Sequence, residues 1–424
     1  MEELVESAIT DDRDVHTFAT DFQNALISAA TTHVGTVRPG KGKRPWVTPK
    51  VREAIRHRNR LRQHISSNRA EWLEACKAAR NAIIEAKTEA WQKVLADADT
   101  SSDDSKMWRV IKSLNGTPDS NSPNEAMAYR GRLITSNKRK ADIFVNHYSN
   151  ISRLQLSKED RAEHRSLKSK LREARTTKAS VQPFTMPELR NAIRRMKSRG
   201  APGPDRIPPT FLKHLGPKAL GKLLELYNLS LSSSKTPQCW RNATIIPLLK
   251  AKKPPSDLAS FCPISLTSCV AKLMERTLSE RLYDHGERSG CFSGLQAGFR
   301  KGRGVEDQIL RITQRISDGF HNREKSLMTL LDFSKAYDTI WRQRLLLTLL
   351  KRGIPAGYVL WIANFLENRQ ARVKFNGRES KCKNITQGLP QGAVLAPVLF
   401  LFYINELALL SAPTQKRTNG HVRR

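Results

Sequence analysis

Two short stretches constrain this chain more than anything else in it. The first, Leu330–Trp341 (LLDFSKAYDTIW), ends the apolar run Leu327–Leu331 with Asp332 and sets an aromatic at Tyr337. The second, Gln387–Phe400 (QGLPQGAVLAPVLF), is a Gly-Leu-Pro-Gln-Gly turn opening into an apolar helix. A short apolar run predicts a buried strand, so a strand over 327–331 is expected to hold the Asp332 carboxylate rigidly at a sheet's end. A lone aspartate after a strand is more often only a helix cap. The turn shifts that reading, because its glycines let the backbone approach a ligand and the Gln391 side chain can reach it.

Charge narrows the partner. Seventy-three Lys and Arg against 40 Asp and Glu leave a formal net charge of +33 over 424 residues. A surplus of that size points to a polyanion, since each neutralised phosphate releases condensed counterions; a merely solubilising surface is the blander reading. No membrane partner is expected: the longest apolar run, Ala393–Ile404, contains Pro397 and is too short to span a bilayer. The N-terminal MEELVESAIT is acidic and reads as neither signal nor transit peptide. Six cysteines lie far apart without a C-x-x-C pair, which argues for buried thiols in a reducing compartment, nucleus or cytoplasm. His57 and His64 share a helix face but have no carboxylate or cysteine at ligand spacing.

Composition divides the chain into three expected regions. Residues 1–46 read as an acidic, weakly helical segment broken by Pro39–Pro45. Residues 47–180 read as a basic helical region that opens at Thr48-Pro49. Its second helix starts with an Asn68/Glu71 capping box and buries Trp72, Cys76, Ala79, Ile83, Ala86 and Ala90. A short helix is expected over Met107–Leu114 and a charged helical connector over Leu154–Lys178. Residues 181–424 read as a compact α+β region.

Within that region, three further loops and a helix accompany the opening pair. Lys197–Pro208 (KSRGAPGPDRIP) is a forced turn in which Asp205 can accept backbone donors. A β-branched strand, Ala243–Leu249, delivers Lys250, Lys252 and Lys253, and a second short strand follows a Pro-rich loop. Such cations suit a triphosphate, although lysines also protect edge strands. Val270–Gly286 is an amphipathic packing helix with Gly286 as its stop. Leu295–Leu310 carries Arg300, Lys301 and Arg303, suited to backbone phosphates.

In order and spacing these blocks resemble the reverse transcriptases of non-LTR (LINE-type) retrotransposons, with the ingi-like group as the nearest relatives in pattern. The resemblance implies a basic helical region followed by the fingers and part of the palm of a right-hand polymerase. It implies an RNA-directed DNA polymerase acting with magnesium and deoxynucleoside triphosphates on an RNA template and a DNA primer. Such chemistry uses two divalent cations about 4 Å apart. By the same resemblance Asp332 and the Phe333 carbonyl are metal ligands, with Asp332 catalytic. Phe333, Tyr337, Gln391, Gly392 and Lys250 line the nucleotide site, Tyr337 as the gate beneath the sugar. Arg300, Lys301 and Arg303 take the template–primer.

Three departures bear on activity. Cys262 stands where the pattern has an arginine, and a thiol cannot offer a bidentate cationic fork. Arg206 stands where glycine is common. After Tyr403–Leu410 no Asp-Asp pair follows, and no endonuclease pattern precedes the helical region. The expectation is therefore a truncated copy with little polymerisation; the alternative is a non-catalytic nucleic-acid-binding remnant.

Overall fold

Helical and strand periods alternate along the chain, and their apolar sides gather in two main cores, one of them shared by the sheet and a helix. The computed structural model describes residues 14–33, 47–62, 69–99, 126–153, 157–176 and 181–410. Asn68 of the expected capping box, His64, Pro39–Pro45, Met107–Leu114 and everything after Leu410 lie outside them. The architecture is mixed α and β.

Contacts divide the chain into residues 35–123 and a larger unit formed by 1–34 with 124–424. This differs from the division at 46 and 180 that composition suggests. The reason lies in α1 (Val15–His33), whose Phe18, Phe22 and Leu26 are buried in the main core of the larger unit. Net charge described that segment poorly; its apolar stripe decided where it packs.

The smaller unit is the helix pair α2 (Pro49–Arg62) and α3 (Arg69–Asp99). Val51, Ala82 and Ala86 form its seam. Ala79 and Ala86 of the expected stripe are buried, and Trp72, Cys76, Ile83 and Ala90 half-buried. Arg52, Arg56, Arg60 and Arg62 stay on the exposed faces.

In the larger unit a hairpin, β1 (Met127–Tyr129) and β2 (Arg132–Ile134), leads into α4 (Asn137–Ile151) and α5 (Lys158–Thr176). Helices α6 (Met186–Arg194) and α7 (Pro217–Ser232) follow, then β3 (Asn242–Leu249) and β4 (Phe261–Leu266). Helices α8 (Cys269–Arg288), α9 (Val305–His321), α10 (Arg342–Lys351) and α11 (Ala356–Leu366) come next. Strands β5 (Arg369–Phe375), β6 (Arg378–Glu379) and β7 (Lys383–Ile385) precede the last helix, α12 (Ala396–Leu410).

The sheet runs β4-β3-β5-β6, with β7 also on β5. Strands β3 and β4 are antiparallel, Thr244 opposite Leu266 and Leu249 opposite Phe261, while β3 and β5 are parallel. Its apolar face, with Ala243, Ile245, Ala371 and Val373, packs under α4 through Phe144 and Val145. Helices α1, α6, α7, α8, α10, α11 and α12 share a separate large core around Tyr227, Trp240, Leu273, Trp361 and Phe402.

Helix α8 buries Val270, Leu273, Thr277, Leu278 and Leu282 as its periodicity predicts, and the Ser268 hydroxyl caps it by accepting from the Ala271 amide. Gly286 does not end it. The helix continues to Arg288, and a Cβ on Gly286 would lie 2.4 Å from the Phe292 ring. That glycine allows close packing rather than a stop.

The strand expected over Leu327–Leu331 is absent. Residues 324–333 have no regular secondary structure, and Leu327, Leu330 and Leu331 are 94, 81 and 70 % exposed. Among the described residues no strand pairs with this run, and an apolar sequence without ladder partners has no sheet to join.

The turn at 203–206 explains one departure in the sequence. Asp205 accepts from the Ile207 amide as expected, and Arg206 sits at φ +59°. That left-handed conformation costs about 1 kcal/mol for a side-chain-bearing residue and almost nothing for glycine. Arg206→Gly is expected to stabilise the chain by about 0.5–1 kcal/mol, read as a higher urea midpoint; a lower midpoint would show that the arginine side chain compensates its own strain.

Candidate functional site

Two loops from distant parts of the sequence meet and are bolted together through their backbones. The first is the turn 334–339, where Asp338 donates its amide to the Lys335 carbonyl. The second is the Gln387–Gly392 turn. Gly388 donates to the Ile340 carbonyl (2.9 Å) and Leu389 to that of Tyr337 (2.7 Å). Only glycine fits at 388, where φ is +78° and a Cβ would lie 2.4 Å from the Asp338 carbonyl oxygen. On its other side the turn is tied to β4: the Ser265 amide donates to the Gln391 carbonyl at 2.8 Å.

Arg342, at the first position of α10, clamps this junction from within. Its guanidinium donates to the carbonyls of Gly388 (2.9 Å), Gln387 (3.1 Å), Ile385 (3.2 Å) and Leu366. Its own amide donates to the Gln387 side-chain oxygen at 3.0 Å. Burial, then the charge of Arg369, pushes the Arg342 pKa down to about 9. Behind the turn the buried Glu275 carboxylate accepts from the amides of Val394 (2.7 Å) and Leu395 (3.2 Å), capping the start of α12. Burial raises the Glu275 pKa, with Arg369 opposing it.

The side chains on the ligand-facing side are equally fixed. The Gln391 amide nitrogen donates to both oxygens of Asp338, at 2.9 and 2.8 Å. Burial raises the Asp338 pKa against the opposing effects of that bond and of Lys335. Tyr337 stacks on Phe400 of α12, centroids 4.9 Å apart and 16° from parallel, and Phe299 meets it edge-on at 6.3 Å. Burial pushes the Tyr337 hydroxyl up to about 12, so it stays protonated at any physiological pH. Between Gln391, Asp338, Ser265 and Tyr148 lies a cavity of about 50 Å³. The buried Tyr148 hydroxyl, on the cavity wall, has no hydrogen-bond partner among the described residues.

The residues singled out from sequence are distributed unevenly. Tyr337, Gln391 and Gly392 lie in the bolted junction. Lys250 stands at the exposed end of β3, its ammonium donating to the Ala259 carbonyl at 3.0 Å. Cys262 sits on β4 opposite Leu248. Lys301 and Arg303 are exposed. Arg300 is not: it is 8 % exposed and pairs bidentately with Glu287 at 2.6 and 2.9 Å, while also donating to the Ser293 and Gln296 carbonyls. It anchors its own loop, with four of its five N–H donors engaged there.

Asp332 and Phe333 are exposed on the unpaired segment. Among the described residues no three His, Cys, Asp or Glu side chains come close enough to hold a metal ion, and Asp338, the next carboxylate along, is committed to Gln391. Among the described residues Asp332 is thus not part of a three-ligand cluster; magnesium itself is commonly held by one or two carboxylates together with substrate phosphates. Sequence reading missed Asp338, Arg342 and Glu275. The last had a signal, a carboxylate on the apolar stripe of α8, where only a paired or capping acid survives burial.

Comparison with known proteins agrees with this geometry. Residues 250–416 match the family described as reverse transcriptase (RNA-dependent DNA polymerase). The chain is 27 % identical over 368 residues to a probable RNA-directed DNA polymerase from transposon BS of Drosophila melanogaster, covering 85 % of this chain and 40 % of that protein. It is 31 % identical over 227 residues to the RNA-directed DNA polymerase from mobile element jockey of the same fly, covering 54 % and 25 %. The jockey protein of Drosophila funebris aligns over 96 % of this chain and 44 % of its own length at 26 % identity. Residues 250–416 thus carry a reverse transcriptase domain. The chain is similar to the RNA-directed DNA polymerases of these mobile elements, and it spans about two fifths of the length of the relatives that cover most of it.

Asp338 gives the junction a pH signature. Its folded-state pKa lies above that of the unfolded chain, so the folded protein keeps a proton that the unfolded chain has already lost. Stability from this group is therefore present at acid pH and declines as pH rises through that window. Asp338→Asn keeps an acceptor for Gln391 without the buried charge. It is expected to melt higher than the unsubstituted protein near neutrality, with the gap closing towards about pH 4; a pH-independent gap in thermal melts would contradict this.

Proposed function

We propose that this chain forms the fingers and part of the palm of a retrotransposon RNA-directed DNA polymerase, holding nucleotide and template–primer for nucleotidyl transfer. The β3–β4 hairpin with Lys250 corresponds to the fingers, and the junction of Tyr337 with the Gln391 turn to the palm side of the nucleotide site. The observation that carries this reading is the bolted junction: an aromatic and a glutamine turn, far apart in sequence, are locked into one unit by backbone bonds and the Arg342 clamp. Fixed geometry of that kind is what selecting a sugar and orienting a triphosphate require.

In this reading Tyr337 closes the space beneath the nucleotide sugar, against a 2′-hydroxyl, and its stack on Phe400 prevents it from yielding. Gly392 lets backbone approach the nucleotide, and Lys250 faces the triphosphate. Lys301 and Arg303 track the duplex backbone. Magnesium would be the metal by resemblance, but the described residues bring only Asp332 towards one, on an unpaired segment. No catalytic step follows from them.

The exposure of Asp332 on an unpaired segment favours a second reading, in which the chain binds nucleic acid without polymerising. Both readings predict binding of an RNA–DNA primer–template that weakens steeply with salt. Replacing Lys301 and Arg303 by alanine is expected to lower the logarithmic salt slope by about 2, one for each lost phosphate contact, and Asp332→Ala to leave binding unchanged. Fluorescence anisotropy between about 50 and 200 mM salt measures this. Salt-insensitive binding would sink both readings, whereas primer extension at ordinary polymerase rates by the 424-residue chain would exclude the non-catalytic one.

A further inference from the structure

Phe299 is a bulky residue in a place where bulky residues rarely sit. Its φ is +60°, in the left-handed region, at a cost of about 1–2 kcal/mol relative to ordinary backbone. Its ring is 58 % exposed, so burial recovers little of that cost. A loop free to relax would shed such strain. This one is held: Arg300 is tied to Glu287 and two carbonyls, and the Lys301 amide donates to the Tyr283 hydroxyl at 2.8 Å. With 300 pinned inward, 299 and 301 are turned outward on a rigid base.

The ring's surroundings define what it faces. It lies edge-on to Tyr337 and to Phe400, with centroids 6.3 Å away in each case. The exposed cations Lys301 and Arg303 follow in the same loop. An exposed aromatic flanked by cations is the pattern with which proteins grip nucleic-acid strands, the ring taking a base or sugar face and the cations the phosphates.

We propose that Phe299 packs against the nucleotide at the primer terminus, next to the one whose sugar Tyr337 gates. This rests on the polymerase reading above and adds a contact to it. Exposure and strain then have one cause: the ring is held out for a ligand.

The test uses the full chain and an RNA–DNA hybrid carrying 2-aminopurine at the primer 3′ end. Binding of the unsubstituted protein is expected to change the 2-aminopurine fluorescence. Phe299→Ala should abolish that change and weaken binding roughly tenfold with the salt slope intact; Phe299→Trp should restore both. Phe299→Gly, which accepts φ +60° freely, should melt no lower than the unsubstituted protein. Normal binding and fluorescence change with Phe299→Ala would overturn the inference and leave the polymerase reading standing. A clearly lower melting temperature for Phe299→Gly would overturn it too, by making the ring a structural prop. Failure of the unsubstituted protein to bind the hybrid at all would sink the polymerase reading and this contact with it.

Discussion

One guanidinium surrounded by carbonyl oxygens holds the site together. Arg342 is 6 % exposed, and among the described residues its guanidinium donates to the backbone oxygens of 366, 385, 387 and 388. A buried charge without a counter-ion is costly, and its lowered pKa records that cost. The compensation is collective. Several carbonyl dipoles point at one planar fork, each bond strengthened by the charge and by the low local dielectric. The clamp adds to the backbone bonds that join the 387–392 turn to Tyr337, Ile340 and Ser265 and to the burial of Leu389 in the core.

Because the clamp begins α10, it also fixes the segment just before it. Tyr337 and Ile340 lie within five residues of Arg342, and their carbonyls accept from the amides of Leu389 and Gly388. Glu275 performs the matching task on the far side of the turn, satisfying the amides of Val394 and Leu395 just before α12. The aromatic and the glutamine are therefore not two residues that happen to be near each other. They are two faces of one rigid body, set from behind by an arginine and a glutamate that never reach the ligand. Asp332 has no such support. It lies upstream of the bolted turn, beyond reach of any ladder bond, so its carboxylate is the least constrained of the residues that the motif brings.

What was legible in the sequence follows the range of the forces involved. Helix α8, the β3–β4 hairpin and the turn at 387–392 were readable because periodicity, β-branching and glycine spacing are local. The strand over 327–331 was misread because an apolar run states only that it would bury, whereas a strand also needs a partner. The placement of α1 was missed for the opposite reason: its acidic neighbours masked a stripe whose partner, α7, lies almost two hundred residues away. Arg300 looked like a phosphate ligand because three basic residues in a loop read alike, and only the packing of Glu287 beneath the loop separates the inward one from the outward pair. Asp338 and Arg342 were invisible as site residues, since their partners are defined by a contact between two loops.

Backbone strain shows the same division between local and global causes. Arg206, Lys252, Phe299 and Lys335 all have positive φ, and each belongs to a different loop block of the motif set. None is glycine or asparagine, the residues that adopt this conformation at least cost. Local preference opposes all four, so each loop holds its shape only because something else fixes it. For 299 that is the buried Arg300–Glu287 pair; for 252, the β3 end, where Lys250 donates its amide to the Ser260 carbonyl; for 335, the bonds to the 388–389 backbone a few residues on. A loop that must present a chosen side chain to a ligand cannot also relax into its own preferred conformation. The strain marks where tertiary structure has overruled the chain's local preference, and three of the four positions adjoin residues assigned to the nucleotide or the duplex.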